Sequence, residues 1–245
     1  MGLLLRMRLG RHTREDLDLL ASRRAAAAPP DCVSLFCCKD MVQWKNEEEM
    51  ALLPGLDEVF GAMDNPVVSY ITDIQAFHLL ENGTRLIRRL RPRVGAHVTV
   101  PTNSLAVKDI AAGSRGVVAG FSGSGPGCCV SVRFLHCAGT ATTLSVGRVL
   151  VRVATFGGVG TAATRCQIPL VLSWAATVHG AHGWTLDRMA ADLGDAFAPG
   201  QVVSALSRTR RLCDVFFLGF YESKVLVDRD ALEVQTSLVS PINDE

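Results

Sequence analysis

The sequence predicts an α/β protein that carries a small β-rich insertion. Strand-like apolar runs alternate with helical periodicity in the opening and closing parts of the chain, the pattern of a parallel sheet. Between Val94 and Ala154, β-rich runs follow one another with only Gly, Ser and Pro clusters between them, the pattern of a small barrel. With 245 residues, 48% hydrophobic and 20% charged, the chain is long enough to bury a core and too apolar for wholesale disorder.

The elements follow in order. The basic opening, through Arg14, has no acid before Glu15. It reads either as an amphipathic helix or as a mitochondrial transit peptide. Thr13 is placed to cap a helix running to about Arg24, with Asp16 at the third helical position. Ala25–Pro30 is low in complexity and reads as a linker. Val33–Phe36 is a short buried strand, and Asp40–Leu53 has helical spacing that ends at Pro54-Gly55. Leu56–Arg93 reads as a further linker. Val94–Val100, Arg115–Phe121, Cys129–Phe134 and Leu144–Ala154 are β-rich, with a hairpin loop expected at Ser122–Gly127. Ile168–Trp174 is expected as a buried strand of the parallel sheet, followed by a loop or helix start at His179–Leu186, strand Met189–Leu193, a helix begun by Pro199–Leu206 and strand Val215–Phe220. The chain thus divides into residues 1–92, 93–165 and 166–245.

Charge and cysteine content exclude several function classes. The net charge is +1, so no global basic field draws nucleic acid to the molecule, and any such contact must be local. Lysine occurs only at Lys39, Lys45, Lys108 and Lys224, so most positive charge is arginine, the side chain suited to bidentate phosphate contact. The eight cysteines contain no C-x-x-C and read as reduced, mostly buried thiols of an intracellular protein. No apolar run approaches the length of a membrane span, so no membrane partner is expected.

The segment Arg165–Phe220 reads R-C-Q-I-P-L-V-L-S-W-A-A-T-V-H-G-A-H-G-W-T-L-D and, further on, G-Q-V-V-S-A-L-S-R. It resembles the last two motifs of the Pif1 family of DNA helicases. Leu4–Gly10, Leu35–Asn46, Leu52–Gly55, Val94–Val98 and Gly113–Val118 are similar to further family motifs in the same order. The resemblance implies a single RecA-like lobe, of the P-loop fold class, split in sequence by an SH3-like barrel at residues 93–165. It implies a family function of ATP-dependent 5′→3′ DNA unwinding in genome maintenance, in nucleus or mitochondrion.

The same motifs show what this sequence does not hold. No G-x-x-x-x-G-K-S/T occurs, and no lysine follows a glycine. Asp57-Glu58 follows Pro54-Gly55 where a Walker B pair would end a buried strand. ATP and Mg²⁺ are therefore expected only in company with a separate P-loop lobe. In the family, the arginine matching Arg208 reaches across the cleft to the γ-phosphate as an arginine finger. Gln201 and Gly183 fall on the nucleotide side, although Gln201 could equally cap its helix. Thr177, His179 and Thr185 match the loop that touches the single strand. The family's Lys, Ser and Gln in that loop are replaced by Gly180, Ala181 and His182. His97, Asn103, Lys108 and Arg115 are candidate nucleic-acid contacts of the insertion. Trp184 either stacks on a base or packs in the lobe. His179 and His182 alone make a poor zinc site, so no metal is expected. The expected partners are single-stranded DNA or RNA, with a separate P-loop lobe or another protein. The alternative function is an inactive, helicase-derived interaction module.

Overall fold

In the computed structural model the described residues are 2–103, 105, 110–123, 125–135, 140–155, 158, 160–228, 230, 232 and 233. Helices α1 (Leu3–Arg8) and α2 (Arg14–Ala21) precede strand β1 (Val33–Phe36) and helix α3 (Lys39–Leu52). Strands β2 (Phe60–Gly61) and β3 (Met63–Pro66), helix α4 (Asp73–Gly83) and strand β4 (Arg89–Leu90) follow. Next come β5 (His97–Thr99), β6 (Arg115–Ser122), β7 (Cys129–Leu135), β8 (Ala141–Val146), β9 (Val149–Ala154) and β10 (Thr161–Gln167). Then come β11 (Val171–Leu172), β12 (Ala175–Thr177), β13 (Met189–Asp192), helix α5 (Gln201–Leu206) and β14 (Val215–Gly219). The chain forms two compact units, Met1–Trp44 with Ala175–Glu245, and Lys45–Trp174.

The first unit is built on a parallel sheet of order β12-β1-β13-β14. All four residues of β1 are buried, as a strand covered on both faces requires. Met7 of α1, Leu20 of α2 and Val202, Ala205 and Leu206 of α5 join the strands in one apolar core. The capping box at α2 forms as the sequence predicts: Thr13 Oγ1 accepts from Asp16 N, and the Asp16 carboxylate accepts from Thr13 N. Arg6 of α1 donates to the same carboxylate, Nε lying 2.7 Å from Oδ2. That guanidinium, more than any other contact, holds Asp16 well below the usual carboxylate range. Gly10 has φ +65°, and a Cβ there would meet Val227 at 3.3 Å. Both conformation and space select glycine after Leu9.

The second unit holds a five-stranded antiparallel sheet of order β11-β5-β6-β7-β8. It stands where a small barrel is expected, and no strand pair closes it among the described residues. Val98, Val118, Val130, Val132, Phe134 and Ile168 belong to its core, together with Met50 of α3. A second sheet, β3-β10-β9, carries α4, whose Ala76 and Leu80 pack on Ala163. Helix α4 begins with its own capping box between Thr72 and Gln75.

Three expectations are corrected. Ile168–Trp174 does not form a strand of the parallel sheet: Val171–Leu172 pairs antiparallel with β5, and the parallel strand is Ala175–Thr177. Pro169 supplies no backbone donor and breaks the apolar run near its start. Leu144–Ala154 is divided between β8 and β9, with Gly147-Arg148 between them. Leu56–Arg93 is not a linker, because β2, β3, α4 and β4 build it into the second unit. Its helix lacks a clean apolar stripe in sequence, and its anchor is the side chain of Arg165, fully buried and far along the chain. Arg165 grips Asp64 through two bonds of 2.8 Å, Glu81 at 2.7 Å and the Leu86 carbonyl at 2.7 Å.

Candidate functional site

The stretch T-V-H-G-A-H-G-W-T leaves the end of β12 as a single tight turn. Thr177 Oγ1 accepts from Gly180 N at 2.8 Å, and the Thr177 carbonyl accepts from Ala181 N at 2.9 Å. The His179 and Ala181 carbonyls accept from His182 N and Trp184 N, and Val178 N ties the loop to Phe36 of β1. Ala181 and Trp184 point into the core, Trp184 being only 7% exposed, so this ring packs in the lobe. His179, His182, Gly183 and Thr185 are exposed. The two imidazole rings lie 6.3 Å apart, and among the described residues no group of His, Cys, Asp or Glu is arranged to hold a metal. Gly183 has φ +86° with open space around it, so the backbone twist alone selects glycine there.

Helix α5 stands beside this loop. Gly200, at φ +73°, opens it, and Gln201 turns back so that its Oε1 accepts from Phe197 N at 3.0 Å and Ala198 N at 3.3 Å. Arg208 follows the last turn and is half-buried. Its Nε donates to the Ser204 carbonyl at 3.0 Å, and its Nη2 donates to Ser207 Oγ at 2.7 Å. Nη1 donates to the Ala181 carbonyl at 3.4 Å, and the Arg208 carbonyl accepts from Leu186 N at 2.7 Å. Both motifs are thereby joined through one residue. Gln201 lies seven residues earlier, about 10 Å along the helical rise.

The remaining sequence candidates lie in the second unit. His97 is half-buried, its ring stacked on Trp174 with centroids 5.4 Å apart. His97 and Arg115 share one face of the β5–β6 pair, whose register sets Thr99 opposite Arg115. Asn103 closes its loop by accepting from Ala112 N at 2.7 Å. Lys108 lies outside the described residues. Asp57, half of the superficial acidic pair, accepts from Arg93 Nε at 2.8 Å.

The expectation of mostly buried thiols is corrected: among the described residues only Cys128 is buried, Cys38 and Cys213 are exposed, and Cys32, Cys37, Cys129 and Cys166 are half-buried. The seven among the described residues are free, with Cys137 outside them. Burial, with Asp192 and Asp195 adding to it, pushes Cys37 up to about 11, well away from thiolate chemistry at neutral pH.

No family model matches the chain. It is 32% identical, over 257 aligned positions, to the human ATP-dependent DNA helicase PIF1, covering all of this chain and 38% of that protein. A crystal structure of Pif1 helicase from Candida albicans matches 96% of this chain and 57% of its own with a TM-score of 0.78 at 23% identity. A Bacteroides Pif1 bound to single-stranded DNA matches 96% of this chain and 52% of its own with a TM-score of 0.68 at 21% identity. The chain spans about a third of the length of the curated relatives it matches. Its order of motifs, its full-length similarity and its fold agree, and the chain belongs to the Pif1 family.

Proposed function

We propose that this chain acts as the second-lobe portion of a Pif1-like helicase. In this reading it contacts single-stranded nucleic acid through Thr177, His179 and Thr185, and offers Arg208 to a nucleotide held by a separate P-loop lobe. Residues 93–165 serve as the inserted module, with His97, Asn103, Lys108 and Arg115 as its candidate contacts. Gln201 and Gly183 belong to the nucleotide side of the same face.

One observation carries the reading. Arg208 is bonded to the loop of residues 177–186 at both its guanidinium and its carbonyl, so a change at one motif is felt by the other. Coupling between nucleotide state and strand grip needs such a link. The relative's structure with single-stranded DNA supports the partner class. ATP and Mg²⁺ enter only through the partner lobe, since a phosphate cradle needs the G-K pair that these residues lack.

A second reading has its own support. Gly180, Ala181 and His182 replace a cation, a hydroxyl and an amide of the family loop, and all three guanidinium nitrogens of Arg208 are already bonded within the chain. An inactive interaction module would carry such losses without cost. The test is single-strand-stimulated ATP hydrolysis by a P-loop lobe of a family relative, measured with and without this chain. The helicase reading expects stimulation that falls by about a thousandfold on Arg208→Ala, the scale of a lost arginine finger. No stimulation, with single-strand binding also absent, supports the interaction module instead.

A further inference from the structure

Five arginines fall within nine residues, at Arg85, Arg88, Arg89, Arg91 and Arg93, and no acid interrupts them. In a chain of net charge +1 this is a strong local concentration. Arg93 is structural: it pairs with Asp57 and donates to the Met50 and Leu53 carbonyls at the end of α3. The other four are exposed, and none is ion-paired among the described residues. The nearby carboxylates of Asp64 and Glu81 are already taken by Arg165.

The backbone beneath these side chains is pinned along its length. Arg165 Nη1 donates to the Leu86 carbonyl at 2.7 Å. Gln167 Nε2 donates to the Ile87 and Arg88 carbonyls at 3.2 and 3.3 Å. Ala62 N donates to the Arg88 carbonyl at 2.8 Å, Glu58 N donates to the Pro92 carbonyl at 3.1 Å, and β4 is laddered to β2. Leu86 and Leu90 are buried between the arginines. The Arg88 guanidinium lies 5.2 Å over the Phe77 ring, and the Phe77 and exposed His78 rings meet edge to face with centroids 5.3 Å apart.

A solvated basic face needs no such anchoring, and four neighbouring like charges repel one another. A concentration of guanidinium forks on a fixed backbone fits a ligand with repeated phosphates, because each fork can take a phosphate bidentately. Of the four only Arg89 lies in a strand, and the backbone bends at Arg85 and Arg88, so the side chains spread over at most about 20 Å, room for several successive phosphates of one strand. Flanking aromatic rings suit unstacked bases. We propose that Arg85, Arg88, Arg89 and Arg91, flanked by Phe77 and His78, form a phosphate-binding rail for single-stranded nucleic acid. The partner class rests on the reading above, but the residues are separate from the loop at 177–185.

The test is anisotropy of a labelled oligothymidylate with the whole chain over a salt series. Replacing the four arginines with alanine weakens binding at least about tenfold and lowers the log–log salt slope by about 2 to 3, at roughly 0.7 per lost phosphate contact. Arg→Lys at the same positions keeps most of the slope. Should the quadruple variant fail to melt cooperatively, Arg88→Ala with Arg89→Ala reads half the effect, a slope change of about 1.4. A parental slope in the alanine variant, with binding lost instead in Thr177→Ala/Thr185→Ala, overturns the rail and leaves the helicase reading standing. A parent that binds no oligonucleotide overturns both. Tighter binding to phosphatidylserine vesicles than to oligothymidylate, lost in the alanine variant, also overturns the rail and assigns the arginines to a membrane surface.

Discussion

Arg208 and Trp184 show how far single residues could be read in advance. The motif around Arg208 was distinctive in sequence, but its bonds to Ser204, Ser207 and Ala181 were not, because they depend on where the loop folds back. Trp184 was open between stacking and packing until its burial decided for the core. Trp184→Ala is therefore expected to cost about 3–5 kcal/mol in denaturant unfolding, as for other buried large aromatics. Gly183→Ala is expected to cost about 1 kcal/mol through its backbone twist alone, since open space surrounds it.

At the scale of elements, local chemistry was legible and long-range anchoring was not. The α2 capping box, β1 and α3 were set by neighbours in sequence, and they form within a residue or two of expectation except that α2 ends at Ala21. The segment from Leu56 to Arg93 resembles a linker in sequence because its stability comes from Arg165 and Gln167, roughly eighty to a hundred residues away. Arg165→Met is expected to destabilise the second unit by about 3 kcal/mol, the low end for a broken buried pair because both carboxylates keep some contact with water. Asp16 gives a pH signature. Its folded pKa is depressed, so its stabilisation is present above the unfolded value near about 4 and is lost as pH falls below it. Thermal melts of Asp16→Asn should converge with the parent in acid and lie below it at neutral pH.

At the scale of the whole molecule, the alternation of strands and helices identified the α/β class. The ordered motifs identified the family, although the parallel strand began a few residues later than the apolar run suggested. The candidate site was legible as a set of residues in the first unit, Thr177, His179, Gly183, Thr185, Gln201 and Arg208. The arginines of the proposed rail are visible as composition but lie in a stretch that reads as a linker in sequence. The central claim is that this chain contributes a trigger arginine and a strand-contacting loop but not a nucleotide cradle. The measurement that tests it most directly is single-strand-dependent ATP hydrolysis by the purified chain, alone and with a P-loop lobe. The account predicts no turnover alone, and turnover with the lobe that depends on Arg208. Steady hydrolysis by the chain alone, abolished by Arg208→Ala, would contradict it.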